Sequence, residues 1–334
     1  MSLRSYLLKR LVYTVVLIFF VIVVNWLIFL ALPGLTSAQY TLIANRGKVT
    51  QAQYDQLNAQ LGLDKDPLTR FLDYVRSMLT FHFGYSYTSN LDVATEMISS
   101  GRLMNTLILI GSSTVTAIVI GVLLGILSAR KRGSTSDSFL VTTSLTTYSL
   151  PTFYIGIILI LLLAYNLGWF PAGGAYPNEW NLGPSHIPSV LVQFLVRLRY
   201  ITLPALTLTL FSYGGFLLLT RATMLEVLSE DYIVTARAKG LPERVVLLHH
   251  AFKNASLPVI TASALSFGAI LGGAIITETL FNYQGLGLWL FHAVLANDFP
   301  VMQAMFYIIA LCVIAANFIS DIMYGIVDPR IKYE

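Results

Sequence analysis

Apolar residues run along this chain in six long blocks that contain no Asp, Glu, Lys or Arg: between Arg10 and Arg46, Arg102 and Arg130, Asp137 and Glu179, Arg199 and Arg221, Lys253 and Glu278, and Asp298 and Asp321. The hydrocarbon core of a bilayer is crossed by roughly 20 apolar residues in a helix, and each block is longer than that. In lipid the backbone must satisfy its own hydrogen bonds, so a spanning segment is a helix or part of a closed barrel. Barrel strands alternate over about 10 residues, whereas these blocks stay apolar throughout. The pattern predicts helical spans at 11–32, 103–128, 138–165, 200–222, 257–278 and 301–326, with ends good to about 2–4 residues. The fold class expected is an all-α polytopic membrane protein with six transmembrane helices.

Composition agrees: of 334 residues, 56% are hydrophobic and 11% charged, against about 25% charged in a soluble domain. The net charge of +4 does not point to nucleic acid, because the basic residues cluster at the ends of the apolar blocks. Arg4, Lys9 and Arg10 precede the first span, and Arg130, Lys131 and Arg132 join the second to the third. Arg221, Arg237, Lys239, Arg244 and Lys253 lie around the fourth-to-fifth connection, and Arg330 and Lys332 follow the sixth. The positive-inside rule then places the N and C termini in the cytoplasm. The first block is too long for the 7–15-residue core of a secretory signal, so it is expected to stay as an anchor. Cys312, the single cysteine, allows no intrachain disulfide.

The polar segments divide the chain further: an anchor over 1–35, an extracytoplasmic lobe over 36–101 between spans 1 and 2, and a core of five spans over 102–334. In the lobe, Thr50 opens a helix-prone stretch that stops at Gly62. Asp66-Pro67 then caps a second helix, with Leu68, Phe71, Leu72, Val75, Met78 and Leu79 on one face. The lobe is either a small cap on the span tops or a docking surface for an external partner. Residues 166–199 are rich in Gly, Pro, Asn and Trp and read as loop; 279–297 is too polar to span and reads as a turn and a short helix.

The segment at about 223–257 carries the most information. Glu230 and Asp231 are placed to cap a short helix through Lys239, Gly240 to stop it, and Pro242 to open a second helix that ends at Lys253 before Pro258. A helix, a glycine elbow and a second helix leading into a span suit the transmission of force between membrane and soluble partner. From spacing alone the segment also fits an ordinary loop over span ends.

Here the sequence resembles the inner-membrane permeases of ATP-binding-cassette importers, specifically the B-type permease of the dipeptide and oligopeptide family. Asp231-Tyr232-Ile233-Val234-Thr235-Ala236-Arg237-Ala238-Lys239-Gly240-Leu241 is similar to that family's cytoplasmic EAA loop, with Val234-Thr235-Ala236 where the general loop has Glu-Ala-Ala. Further likenesses follow in order: Tyr6 to Leu11, Leu32-Pro33-Gly34, Gln60 to Asp64, Phe83-Gly84-Tyr85-Ser86, Asn105-Thr106-Leu107, Pro151-Thr152-Phe153, Phe170-Pro171-Ala172-Gly173-Gly174, Thr277 to Phe281, Gly285-Leu286-Gly287 and Asp328-Pro329-Arg330-Ile331. Where the family often has Asp-Pro after Leu-Pro-Gly, this chain has Leu35-Thr36.

The resemblance implies half of a translocation channel for peptides in the cytoplasmic membrane of a bacterium or archaeon. Its partners would be a second homologous permease in a heterodimer, two ATP-binding subunits and an extracytoplasmic substrate-binding protein, with the lipid bilayer as surroundings. The chain would be a non-enzymatic subunit with no metal and no cofactor of its own, ATP and Mg belonging to the ATPase subunits. Consistently, it contains no G-x-x-x-x-G-K-[ST] phosphate loop. ATPase coupling would fall to Glu230, Asp231, Tyr232, Thr235, Ala236, Arg237, Ala238, Lys239 and Gly240. Arg237 and Lys239 would reach acidic groups on the ATPase; Ala236, Ala238 and Gly240 would permit close approach. The same family handles oligosaccharides and nickel, so these remain alternative substrates.

Hydroxyl and small residues next to a helix irregularity mark the candidate translocation path: Thr146, Tyr148, Ser149 and Pro151 in the third span, and Thr261, Ser263 and Ser266 in the fifth. Small residues in spans also serve close helix packing, as the G-x-x-x-G spacings Gly121–Gly125 and Gly268–Gly272 suggest. Two rivals fit less well. An ion-driven secondary transporter would show internal repeats and acids at mid-membrane. A membrane enzyme on metal would need a ligand cluster, and His82, His186, His249-His250 and His292 are scattered.

Overall fold

The computed structural model describes residues 3–31 and 65–327. The helix expected from Thr50 to Gly62 and the motifs at Leu32-Pro33-Gly34, Gln60 to Asp64 and Asp328 to Ile331 lie outside them. The described residues are helical, with one isolated antiparallel bridge between Tyr85 and Asp92. In order they form α1 (Leu3–Trp26, running on as a π-turn Leu27–Ala31), α2 (Pro67–Leu79), α3 (Val93–Ser99), α4 (Arg102–Arg130) and α5 (Thr135–Ser149). Then come α6 (Thr152–Leu159, with a π-turn Ile160–Asn166), α7 (Val190–Leu228), α8 (Asp231–Ala238), α9 (Lys253–Leu280), α10 (Leu286–Ala296) and α11 (Phe299–Val327). Among the described residues, four helical stretches are long and apolar enough to cross a bilayer: Leu8–Phe29 of α1, α4, α7, and Phe299–Ile319 of α11. Taking the bent pair α5 and α6 as one span makes five.

Three expectations need correction. The third span, expected as one crossing over 138–165 with an irregularity at Pro151, bends by 106° between α5 and α6. The break sits at Leu150, whose φ of −78° and ψ of 139° are extended, because the ring of Pro151 disfavours helical backbone in the residue before it. The fourth span is far longer than 200–222: α7 has 39 residues, about 58 Å at 1.5 Å per residue, and passes through a buried Pro204 without a break. The helix opened by Pro242 does not end at Lys253. Glu243–Val245 and a π-turn Val246–Phe252 lead directly into α9, which contains Pro258.

The chain forms two compact units. One takes, among the described residues, 107–283 with 3–7 and 316–327; the other takes 8–31, 65–106 and 284–315. In the second unit Asp66 caps α2 as expected, its carboxylate accepting from the Thr69 N–H at 3.0 Å with Pro67 in the first turn. The buried stripe of α2 differs from the one expected. Tyr74 and Met78 are buried, with Phe71 and Val75 half-buried beside them, while Leu68, Leu72 and Leu79 are exposed. Phe71 meets Trp26 edge-on at 5.2 Å, so the buried face is made by Phe71, Tyr74, Val75 and Met78 rather than by the full set that apolar spacing selected.

The motifs that carry the resemblance meet in space. Asn105 Nδ2 donates to the Gln284 carbonyl at 2.7 Å, and the Leu286 N–H donates to Thr106 Oγ1 at 2.8 Å. Those bonds pin two segments about 180 residues apart. Ser86 donates to the buried Asp298 carboxylate at 2.6 Å, which also accepts from the Thr88 N–H. Arg102 pairs with Glu96 at 2.8 Å and lies 4.4 Å over the Trp289 ring. In the first unit the Gly174 N–H donates to the Phe281 carbonyl at 2.8 Å, joining the Phe170-to-Gly174 and Thr277-to-Phe281 motifs. The short helix expected before the last span is α10, ended by Asn297 in the left-handed conformation.

Candidate functional site

Helix α8 follows α7 after two residues and is docked by one face. Ile233 and Ala236, three residues apart and so on the same side, are buried in a core with Ala129, Met224, Val246, Leu247, Ala251 and Ala255. The opposite side carries Asp231, Tyr232, Val234, Thr235 and Ala238, all exposed. Glu230 has the extended backbone of a cap but makes no side-chain cap bond, and Asp231 supplies negative charge to the first turn. Lys239 ends the helix, and Gly240 turns with φ of +77°, its N–H donating to the Arg237 carbonyl at 2.9 Å.

Two side-chain links hold this elbow. Arg237 donates through Nη2 and Nε to the two carboxylate oxygens of Glu243, at 2.9 and 3.3 Å, bridging Gly240. The guanidinium's hydrogen bond holds the Glu243 carboxyl below the usual glutamate range, and the charge of Arg130 adds to the effect. Asn254 Nδ2 donates to Tyr232 Oη at 2.8 Å, tying α8 to the start of α9. Of the residues proposed for coupling, Arg237 therefore spends its charge within the chain and Ala236 faces the chain's own core. Tyr232, Thr235, Ala238, Lys239 and Gly240 remain on the outside.

Charge inspection of the sequence missed a second constellation. Asp137, in the first turn of α5, is buried, and Arg221 of α7 donates to both of its oxygens at 2.8 and 2.9 Å. The carboxylate also accepts from Ser128 Oγ on α4 and from the Gly133 N–H at 2.9 Å. A buried carboxylate is expensive unless its lone pairs are filled, and here four donors fill them. The sequence held a signal: an acid opens one charge-free block and a base closes another, which places both at one end of antiparallel helices.

From that pair the contacts of α5 and α7 continue in antiparallel register. Ser144 meets Gly214, where an added Cβ would stand 2.6 Å from the Ser144 carbonyl oxygen. Tyr148 stacks on Phe211 at 6.0 Å, with ring planes 22° apart. The pairs 137/221, 144/214 and 148/211 carry α5 along α7 up to the break at Leu150. The Gly121–Gly125 spacing is likewise a packing seam, since Cβ atoms there would lie 2.5 and 2.6 Å from Cβ of Phe216 and of Thr220 on α7. Gly268–Gly272 falls where side-chain surroundings are not described.

Thr146, Tyr148, Ser149 and Pro151 are exposed; Thr261, Ser263 and Ser266 are half-buried. The hydroxyls of Thr146, Ser149, Ser263 and Ser266 each donate to a carbonyl three or four residues back, so they offer acceptor capacity rather than a donor. Among the described residues no group of three or more His, Cys, Asp or Glu could hold a metal.

Residues 121–333 match the family described as binding-protein-dependent transport system inner membrane component. The chain is 35% identical to the oligopeptide transport system permease protein of Bacillus subtilis, over 98% of this chain and 99% of the relative. It is 40% identical to the di/tripeptide transport system permease protein of Pseudomonas aeruginosa, over 82% and 84%. With the dipeptide transport system permease protein of Escherichia coli it shares 35% over 88% and 89%. Relatives of this similarity are membrane subunits of transport systems, and the apolar helices make the chain a multi-pass membrane protein. By the extent of the family match and by relatives covered almost end to end, the chain belongs to the binding-protein-dependent transport system inner membrane components.

Proposed function

We propose that this chain forms half of the translocation channel of an ATP-driven peptide importer. It crosses the cytoplasmic membrane of a prokaryotic cell six times, with both termini inside. The count of six is completed by α9, the fifth span in chain order, whose residues 254–277 carry no charge. Residues 1–35 are the anchor, 36–101 the outer lobe, and 102–334 the permease core with its coupling segment at about 223–257. The second half of the channel is a distinct homologous permease; two ATP-binding subunits bind ATP and Mg inside, and a substrate-binding protein delivers peptides outside. The three relatives named above are permease proteins of oligopeptide, di/tripeptide and dipeptide transport systems, which favours peptides over oligosaccharides or nickel.

The observation that carries this reading is α8. Its inner face is welded into the permease by Ile233 and Ala236, its outer face is open, and it connects stiffly to α7 on one side and α9 on the other. A helix held this way passes displacement of a bound partner into two spans. Its open residues Tyr232, Thr235, Ala238, Lys239 and Gly240 enter the ATPase groove, while Arg237 and Glu243 keep the elbow's angle. The path for peptides runs past Thr146, Tyr148, Ser149 and Pro151 beside the break, and past Thr261, Ser263 and Ser266. The test is to tag the chain in its host, extract it in mild detergent, identify stoichiometric partners by mass spectrometry, and measure dipeptide uptake in a strain lacking it. Two ATPase subunits, a second permease and lost uptake are expected; recovery of the chain alone with uptake intact overturns the reading.

A further inference from the structure

The Asp137–Arg221 pair has no part in peptide contact or in ATPase docking as proposed above, yet its buried carboxylate accepts from four donors. Its carboxylate gathers α4 through Ser128, the α4–α5 turn through the Gly133 N–H, and α7 through both nitrogens of Arg221. Arg221 lies one to two turns before the end of α7 at Leu228, and α8 starts three residues later. From the same pair, α5 runs with α7 through Ser144–Gly214 and Tyr148–Phe211 to the 106° break at Leu150. The pair thus stands between the element that meets the ATPase and the bend that flanks the path.

We propose that Asp137 and Arg221 are positioning residues for energy coupling: they lock α5 to the α8-proximal end of α7, so that a displacement of α8 moves α5 as one body with α7 and is delivered at the Leu150–Pro151 break. This rests on the importer reading above. A bidentate guanidinium–carboxylate contact fixes angle as well as distance, which a purely apolar contact between two helices would not. Lys at 221 would keep the charge but lose the fork, so the orientation of α5 on α7 would loosen while the attraction stayed.

The test uses the whole complex, with this chain, its permease partner, ATPase subunits and binding protein, in proteoliposomes. Arg221→Met and Asp137→Asn are expected to assemble with all subunits and to hydrolyse ATP at a rate within about threefold of the parent. Peptide imported per ATP hydrolysed should fall about tenfold or more, and Arg221→Lys should be intermediate. Uptake and hydrolysis falling together in proportion, or an unchanged ratio, overturns the proposal. Should the variants fail to assemble, spin labels on the otherwise unaltered pair decide it: labels at Thr135→Cys and Glu226→Cys, both exposed, in a Cys312→Ser background. Their separation should be the same in nucleotide-free and ATP-plus-vanadate states, and a change of more than a few ångström overturns the single-body claim. A parent complex that does not import peptide with ATP at all refutes the importer reading instead, so the two failures are told apart.

Discussion

Gly240 offers the sharpest perturbation of the coupling elbow. Its φ of +77° lies in the left-handed region, and an added Cβ would have no heavy atom within 4 Å. A substitution there thus meets no steric obstacle from neighbours, and its whole cost is backbone strain, about 1–2 kcal/mol for an L residue. Ala should sit near the lower end. Val, whose branched Cβ is least tolerant of positive φ, should reach about 2 kcal/mol or more, while Asn, which visits this region with local hydrogen bonding, should cost less than Ala. One to two kcal/mol changes a conformational ratio by a factor of about 5–30, and the competing state is an elbow with α8 re-aimed. The ratio of ATP-driven uptake to ATP hydrolysis, measured in inverted or reconstituted membranes, should therefore order as Gly, Asn, Ala, Val, with Val uncoupled by at least several-fold. Equal coupling in Val and Gly refutes the elbow as a rigid element. An Asn variant as poor as Val refutes backbone conformation as the cause and points to surface contact instead.

Other predictions follow from the same geometry. Ile233→Ala removes a fully buried anchor of α8 and should cost about 2–5 kcal/mol locally, releasing the helix; the ATPase subunits should then be lost on purification while the permease stays in the membrane. Gly121→Leu drives a side chain into Phe216 and the Tyr213 carbonyl, and should lower the detergent melting temperature by several degrees or abolish accumulation. The exposed Arg237–Glu243 pair, by contrast, should contribute only about 0.2–1 kcal/mol, so Glu243→Gln should reduce uptake per ATP by less than about fivefold. Because Arg237 lowers the Glu243 pKa, the pair's stabilisation is fully present above the ordinary glutamate value and is lost only as pH falls through the lowered one. Coupling between pH 6 and pH 8 should not vary through this group, which uptake assays across that range would check.

Much of the architecture was legible because lipid imposes a simple rule on sequence: long charge-free blocks became long helices, Asp66-Pro67 and Gly240 appear where capping chemistry put them, and the turn before α10 where polarity ruled out a span. Two of the failures, the bent third span and the helix that did not stop before Pro258, concern proline, which different surroundings read differently. Three Leu-Pro pairs have both residues inside a predicted span: 150–151 breaks its helix, while 203–204 and 257–258 lie inside unbroken α7 and α9. A dipeptide cannot reveal which, because neighbouring helices decide whether the freed backbone groups are satisfied. The inward turn of Ala236 and the Arg237–Glu243 bridge were also hidden, since they depend on the return of the chain through Pro242. Asp137 and Arg221 were visible as charges but were read only as topology marks, since their partnership needs the α5–α7 register.

If the open face of α8 meets an ATPase subunit, site-specific crosslinking in native membranes captures that contact. A photoreactive residue at Val234, 59% exposed on that face, should attach an ATP-binding subunit in a single band, with the yield changing when ATP is trapped. The same probe at Ile233, buried on the opposite side, should give none. An ATPase adduct absent at Val234, or equal from both positions, would contradict the account.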